Sequence, residues 1–407
     1  MKILCVFGRY AYGDPQRGDG YEYVNFLPAL AALGHEVELF DSFDRRGYVD
    51  FADLNQRLLD HVIAFRPDVV FCVLMNYEVW SETLDIIRAG SPAIVVNWGT
   101  DDSWKFHQVS RFLIPHLDFH VTTDKGAAGW AGGAGFANVL RSQWAASPAQ
   151  LREPLPSSQC TYDVSFIGNL YGDRRAWIEG LRVRGVHVTT FGHGSDGGVV
   201  ASPAIPDIHR KSRISLNFSD SGLQLDGLRL KRSRQIKARV FEVPGAGSVL
   251  LTQAADGLSD YFRIGDEIDT FDRPDGLAEK IKFYLANPDV RDRLARAGQQ
   301  RVVAEHTYDR RFRDLLAYVQ THAAPARPRQ AWQIDRAEMQ RLVDLHRRTA
   351  AIKPLRVAVN TMTRLLLGQE KGARGARRIV FEASWRLAGG RTFGAAGLPG
   401  RLFFRES

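Results

Sequence analysis

The chain has 407 residues, 44% of them hydrophobic and 25% charged, with a formal net charge of +8. That length builds sizeable cores in about two or three domains, and no apolar run reaches the ~18 residues that a membrane-spanning helix needs. Cys5, Cys72 and Cys160 are odd in number and far apart, which argues against a disulfide framework and for free thiols in a cytoplasmic protein.

The opening "MKILCVFGRYAYGD" has one lysine and a short apolar run without a small-residue cleavage site, so it reads as a first strand rather than a signal peptide. Further strands are expected at 36–40, 68–74, 93–98 and 119–123. Several are apolar throughout, as strands covered on both faces should be. Between them, "YEYVNFLPALAALG" and "FADLNQRLLDHVIAF" carry apolar residues at helical spacing. This alternation predicts a parallel, doubly wound sheet over residues 1–142.

The stretch 143–161 is rich in Pro and Ser and reads as a linker. Alternation then resumes, with strands expected at 162–168, 187–192, 213–219 and 248–252. Helices are expected near "DRRAWIEGLRVRG", at 274–286 and at 288–320. A second α/β domain is therefore expected over 162–322. Ligands of such sheets sit beyond the carboxyl ends of the strands, so two such halves are expected to face a cleft.

A Pro-rich break at 322–330 precedes a tail, 323–407, with basic amphipathic pieces near 333–349, 354–367 and 376–388. Residues 326–407 hold 17 Lys+Arg against 6 Asp+Glu, leaving 37 basic against 40 acidic residues in the body. The charge is thus a property of the tail. It fits helices that pack on the body, or docking on an anionic membrane surface. Nucleic-acid binding would call for aromatic interleaving or a known module, and neither is seen.

The candidate site residues gather at predicted strand ends. In "KARVFEVPGAGSVLLTQ", Pro244 suits the first turn of a short helix starting near Phe241 or Glu242. Glu242 then either complements the dipole at a helix start or accepts the hydroxyls of a ribose, with Gly245 and Gly247 letting a ligand lie close to the backbone. "DVSFIGNLYGDRR" offers Gly168 and Asn169, then Arg174 and Arg175. "FGHG" offers His193, "SLNFS" offers Asn217, and Lys237 and Arg239 precede Glu242. In the front half, Asp14, Asp19 and Glu22 follow the first strand and Asp101 and Asp102 the fourth. Of these, Asp19, Asp102, Asp101 and Glu22 are the candidate bases. Asp-Gly turns and helix capping are the structural readings of the same residues. Asp124 and Lys125 read as a helix cap or a ligand contact, and His306 as a packing residue. No CxxC, HExxH or P-loop occurs.

The series "DVSFIG", "SLNFS", "R-x-F-E-x-P-x-x-G" and "HTYDRR", with "GDGYEYVNFLPALAALGHEVELFD", "NWGTDD" and "TTDKGA" ahead of it, resembles the GT-B glycosyltransferases of group 1 type. Within them it resembles the spore-maturation CgeB-like branch. The resemblance spans residues 1–320 and leaves the tail uncovered. It implies two Rossmann-like domains facing a cleft and a hexosyltransferase-like activity. The donor would be a nucleotide-sugar, UDP-linked above all, held by Glu242 at the ribose and by Arg174, Arg175, Lys237 and Arg239 at the diphosphate. The acceptor would be a glycan, a lipid-linked molecule or a protein. Arginines that meet the diphosphate imply no metal and no further cofactor. Relatives in the wider group often carry a second glutamate eight positions before the first; Arg234 stands there. A sugar-nucleotide 2-epimerase on the same scaffold and a non-catalytic binding or assembly protein therefore stay open.

Overall fold

The apolar runs of the sequence become the strands of two parallel sheets in the computed structural model, which describes residues 1–226, 229–323 and 332–406. The chain forms two compact units. The first comprises Met1–Thr122, Ala127–Arg141 and Asp314–Ser407; the second comprises Thr123–Gly126 and Ser142–Arg313.

In the first unit the strands are β1 (Lys2–Phe7), β2 (Glu36–Asp41), β3 (Val69–Cys72), β4 (Ile94–Gly99), β5 (Phe119–Thr122) and β6 (Val139–Arg141). They are ordered β2-β1-β3-β4-β5-β6, and every neighbouring pair is parallel. β3, β4 and β5 are buried along their whole length. β2, "EVELFD", exposes Glu36 and Glu38 and covers the residues between them, the pattern of an edge strand. The helices are α1 (Tyr21–Ala32), α2 (Phe51–Phe65), α3 (Ser81–Gly90), α4 (Asp102–Lys105), α5 (Arg111–Leu113) and α6 (Lys125–Gly133). Phe26 of α1 meets Phe7, Phe71 and Trp98 edge-on, with ring centroids 6.4, 6.1 and 5.4 Å apart, and so fixes α1 to the centre of the sheet.

The second unit repeats the plan. Its strands are β7 (Tyr162–Ile167), β8 (Thr189–Phe191), β9 (Ser212–Asn217), the hairpin strands β10 (Asp220–Asp226) and β11 (Arg229–Arg234), β12 (Val249–Gln253) and β13 (Asp269–Phe271). The five-stranded sheet runs β13-β12-β9-β7-β8, parallel throughout. β10 and β11 pair antiparallel as an insertion after β9. The helices are α7 (Arg174–Val183), α8 (Ile205–Arg210), α9 (Arg239–Gly245), α10 (Pro274–Ala286), α11 (Pro288–Glu305) and the start of α12 (Tyr308–Ala323), which from Asp314 on belongs to the first unit. Phe166, Phe218 and Phe271 with Trp177 form the aromatic centre of this core.

Several expectations need correction. β6, β10, β11 and β13 were not foreseen. The single helix expected over 288–320 is two, parted at His306. α9 starts at Arg239 rather than at 241 or 242, and Pro244 lies inside it, one residue before the helix ends. The segment 143–161 is no free linker. Arg291, fully buried, donates to the carbonyls of Leu155, Ser212 and Arg213, and Ser157 N donates to Asp292. Residues 143–161 are thereby stapled to α11.

The tail helices are α13 (Arg336–Arg347), α14 (Lys353–Leu367), α15 (Gln369–Ala388) and α16 (Leu398–Leu402). The break at 322–330 lies, from residue 324 on, outside the described residues. α13 sinks Met339, Leu342 and Val343 into the core shared with α2, and Phe404 stands edge-on to Phe51 at 4.9 Å. Arg347 and Arg336 pair with Asp50 and Asp60 at 3.0 and 2.7 Å. Most of the tail therefore packs onto the first unit.

Candidate functional site

Both sheets reverse their strand order next to their first strand, at β1/β3 and at β7/β9, and open α/β sheets bind ligands outside the strand ends at such points. In the second unit β7 is followed by Gly168, whose φ of 150° suits glycine. A Cβ there would lie 2.7 Å from Arg239 Nη2. A Cβ on Gly192, at the end of β8, would in turn meet the Gly168 backbone at 2.5 Å. The two strand ends are thus bare and close together.

Two guanidinium groups converge on this place. Arg174, buried at the start of α7, donates to the Asn169 carbonyl and to the Tyr171 hydroxyl, both at 2.9 Å, and lies over the Tyr171 ring. Arg174 and Arg239 both stand 5.8 Å from the centre of the Phe166 ring. Burial, with Arg239 nearby, holds the Arg174 pKa below its usual value despite Tyr171 and Asp220. Two like charges held together by folding favour an anion between or beside them. Arg175 is exposed and reaches the Gly194 carbonyl at 3.4 Å, and His193 is exposed between two positive-φ glycines. Lys237 and Glu242 are half-buried at the start of α9, Glu242 one turn beyond Arg239 and so on the same face.

Three other donor-side candidates sit elsewhere. Asn217 is fully buried and donates to Thr252 Oγ1 at 2.9 Å, so its side chain ties β9 to β12. A Cβ on Gly245 would touch Ala146, Leu151 and Val302, and one on Gly247 would lie 2.8 Å from the Pro154 backbone. The close approach that these glycines permit is taken up by residues 146–154 of the chain itself. His306 is a packing residue: its ring lies among Phe241, Tyr261 and Phe262, Nε2 meets the Tyr261 carbonyl at 2.9 Å and Arg311 donates to Nδ1. Arg234 pairs with Asp220 and Asp272, and Lys125 with Asp260.

In the first unit the four candidate bases separate. Asp102 is 1% exposed, receives Ser110 Oγ at 2.5 Å and meets His120 Nε2 at 2.8 Å, with Asn97 on the other ring nitrogen. Burial alone would raise its pKa, but His120, Ser110 and Thr122 outweigh burial and keep it low. A carboxylate sealed in this way cannot reach an acceptor, which corrects its role to that of a structural anchor. Asp19 is exposed and bridges Tyr10 in the loop after β1. Glu22 and Asp101 come together: burial, then the charge of Asp101, raise the Glu22 pKa above its ordinary value. Lys105, held by the Met75 carbonyl at 3.0 Å, also faces Asp101 and Glu78. Glu78 itself accepts the amides of Met75 and Asn76. Among the described residues no group of three His, Cys, Asp or Glu could hold a metal ion.

Lys105, Glu78 and His120 were missed by the sequence reading. Lys105 follows "NWGTDD" closely, but the short loop that brings Glu78 to it carries no local signal. A pocket lined by Met1, Asp68, Val69 and Trp332 lies at the opposite, N-terminal ends of the strands, where Asp68 already accepts the Lys2 amide.

Residues 174–317 match the family described as Glycosyl transferase-like, a span that covers most of the second unit and starts at Arg174. Sucrose-phosphate synthase from Thermosynechococcus elongatus superposes with a TM-score of 0.57 at 10% identity, over 80% of this chain and all of that one. A glycosyltransferase from Rickettsia africae gives 0.53 at 9%, over 80% and 99%. HepE from Anabaena in complex with UDP-glucose gives 0.53 at 12%, over 79% and 100%. The chain has the GT-B fold. No curated protein matches the sequence. In this GT-B chain the switch point of the second unit carries the arginine pair, and that of the first carries Glu22 and Asp101.

Proposed function

We propose that this GT-B protein is a glycosyltransferase that takes a sugar from a nucleotide-sugar, UDP-linked above all, and passes it to a glycan, lipid-linked or protein acceptor. The single observation that carries the reading is the Arg174–Arg239 pair beside the bare backbone of Gly168, inside the span that matches the glycosyl transferase-like family. HepE, a neighbour of the same fold, is described in complex with UDP and with UDP-glucose. Within the group 1 type, we read "DVSFIG", "SLNFS" and "HTYDRR" as a resemblance to the CgeB-like branch.

In this reading Arg174 and Arg239 neutralise charge that grows on the departing diphosphate, with Arg175 and Lys237 beside them, and Asn169 and His193 line the approach. Glu242 accepts the ribose hydroxyls. Two guanidinium groups supply the positive charge that a divalent metal would otherwise bring, so transfer is expected to run without one. Glu22 is taken as the general base, burial and then the charge of Asp101 raising its pKa above the ordinary carboxylate value. The reading places the protein in the cytoplasm.

The test is incubation with UDP-, GDP- and dTDP-sugars, following melting temperature and release of nucleotide. Stabilisation by one UDP-sugar, with UDP released on adding acceptor in the presence of a chelator, is the expected result. Binding without release would leave an assembly role, and interconversion of the sugar would mark an epimerase.

A further inference from the structure

The last turn of α14, just before α15, carries three consecutive leucines, Leu365, Leu366 and Leu367, which are 83%, 74% and 50% exposed. Val357 and Met362 on α14 and Ile379 on α15 are exposed too. Ordinary soluble surfaces scatter such residues singly; a run of them at the tip of a projection marks a contact surface. Nothing in the described part of the chain covers the tip, and no helix among the described residues is long and apolar enough to cross a membrane.

The hairpin is built to hold its shape. Gly372 and Gly375 face α14 so closely that a Cβ on Gly375 would lie 2.6 Å from Leu367 Cδ1, and Thr363 Oγ1 donates to the Gly372 carbonyl at 2.8 Å. Its base is anchored: Ala376 and Val380 pack with Leu402 and Phe403, and Arg356 pairs with Glu406 at 2.8 Å. Around the apolar tip stands a basic collar. Residues 353–388 contain eight Lys+Arg and two Glu, and Arg364, Lys371, Arg374 and Arg378 are exposed.

We propose that the α14–α15 hairpin docks the protein on an anionic lipid surface, with Leu365, Leu366 and Leu367 entering the interface and the collar meeting the headgroups. Apolar residues ringed by Lys and Arg are the pattern by which proteins lie on membranes. The collar also argues against a second copy of this chain as occupant, since a two-fold contact would bring the two basic collars together. The proposal goes beyond glycosyl transfer and does not depend on it.

The experiment is co-sedimentation of the full-length protein with phosphatidylcholine vesicles, with and without phosphatidylglycerol, at low and high salt. Binding is expected only to the anionic vesicles and should weaken with salt. Leu365→Ser/Leu366→Ser should lower the bound fraction about tenfold or more, since burial of two leucines is lost. Arg374→Glu/Arg378→Glu should lower it at low salt. All four substitutions fall on exposed side chains, so circular dichroism should stay unchanged. Equal binding to neutral vesicles, or unchanged binding by both variants, would overturn the proposal. So would a concentration-dependent dimer that the leucine variant abolishes, which would assign the tip to a second copy.

Discussion

Gly168 and Arg239 occupy one another's space: the glycine lacks the one carbon that would strike the arginine's Nη2, at 2.7 Å. Substitution of the glycine is therefore a way to move the arginine without removing it. Gly168→Ala is expected to weaken UDP-sugar binding by about 1.5–3 kcal/mol, the range of a hydrogen bond to a charged group. Titration calorimetry reads the loss. An affinity equal to that of the native protein would detach Arg239 from the phosphates.

Glu242 lies one turn beyond Arg239 on α9. Glu242→Ala should cost ~1.5–3 kcal/mol in affinity for UDP and UDP-sugars, while sugar phosphates without the nucleoside are bound as before. Equal losses for both ligand types would contradict contact with the ribose.

Glu22 predicts a pH profile. Its folded pKa stands above the ordinary carboxylate value, burial and Asp101 both favouring the proton. A base must be unprotonated to act, so kcat should fall on acidification through that raised pKa and reach a plateau above it. In Glu22→Gln the acidic limb should vanish and kcat should drop by roughly 10²–10⁴. A retained acidic limb would give the role to another group.

Asp102 makes the opposite prediction. Asp102→Ala leaves His120 buried with its partner gone, and the cost is expected near 3–5 kcal/mol of stability. Turnover by the folded fraction should stay close to native. Urea unfolding and single-turnover rates separate the two effects.

His209 sets a stability slope in acid. It is buried, with Nδ1 near Ser215 Oγ at 3.0 Å, and burial, then the charge of Arg239, lowers its pKa from 6.5 to about 3. The folded pKa lies below the unfolded one, so the unfolded chain takes the proton first. Stability is full above pH 6.5 and declines as pH falls towards about 3, by up to about 1.4 kcal/mol per unit from this group. His209→Leu should flatten that slope in urea titrations, even if stability at neutral pH changes.

The framework was open to sequence reasoning wherever one pattern ruled a whole segment. "KILCVF" and "FADLNQRLLDHVIAF" became β1 and α2 with the expected bounds, because apolar spacing alone decides which face a segment buries. β6 and β13 are three residues long, too short for any period to show. The hairpin strands β10 and β11 consist mostly of polar residues, so no apolar alternation announces them in the sequence. At the candidate site, residue type and strand end pointed to Arg174 and Arg239, which the fold sets beside one aromatic ring, Phe166. They could not tell Asp102 from Asp101, two adjacent carboxylates of which folding buries one and leaves the other half-covered. His120, the residue that seals Asp102, comes from the next strand, 18 positions on.

Gly247, with φ at 83° and no room for a side chain against Pro154, has a bearing on protein engineering. A fragment of the second unit cut at 162 would strip α9 of its backing and leave the Arg291 guanidinium without the Leu155 carbonyl. The first unit, for its part, is completed by residues from 314 onward. Neither half is a contiguous stretch of gene, so recombination between relatives at a single junction would sever one lobe or the other, and workable chimaeras need at least two crossover points.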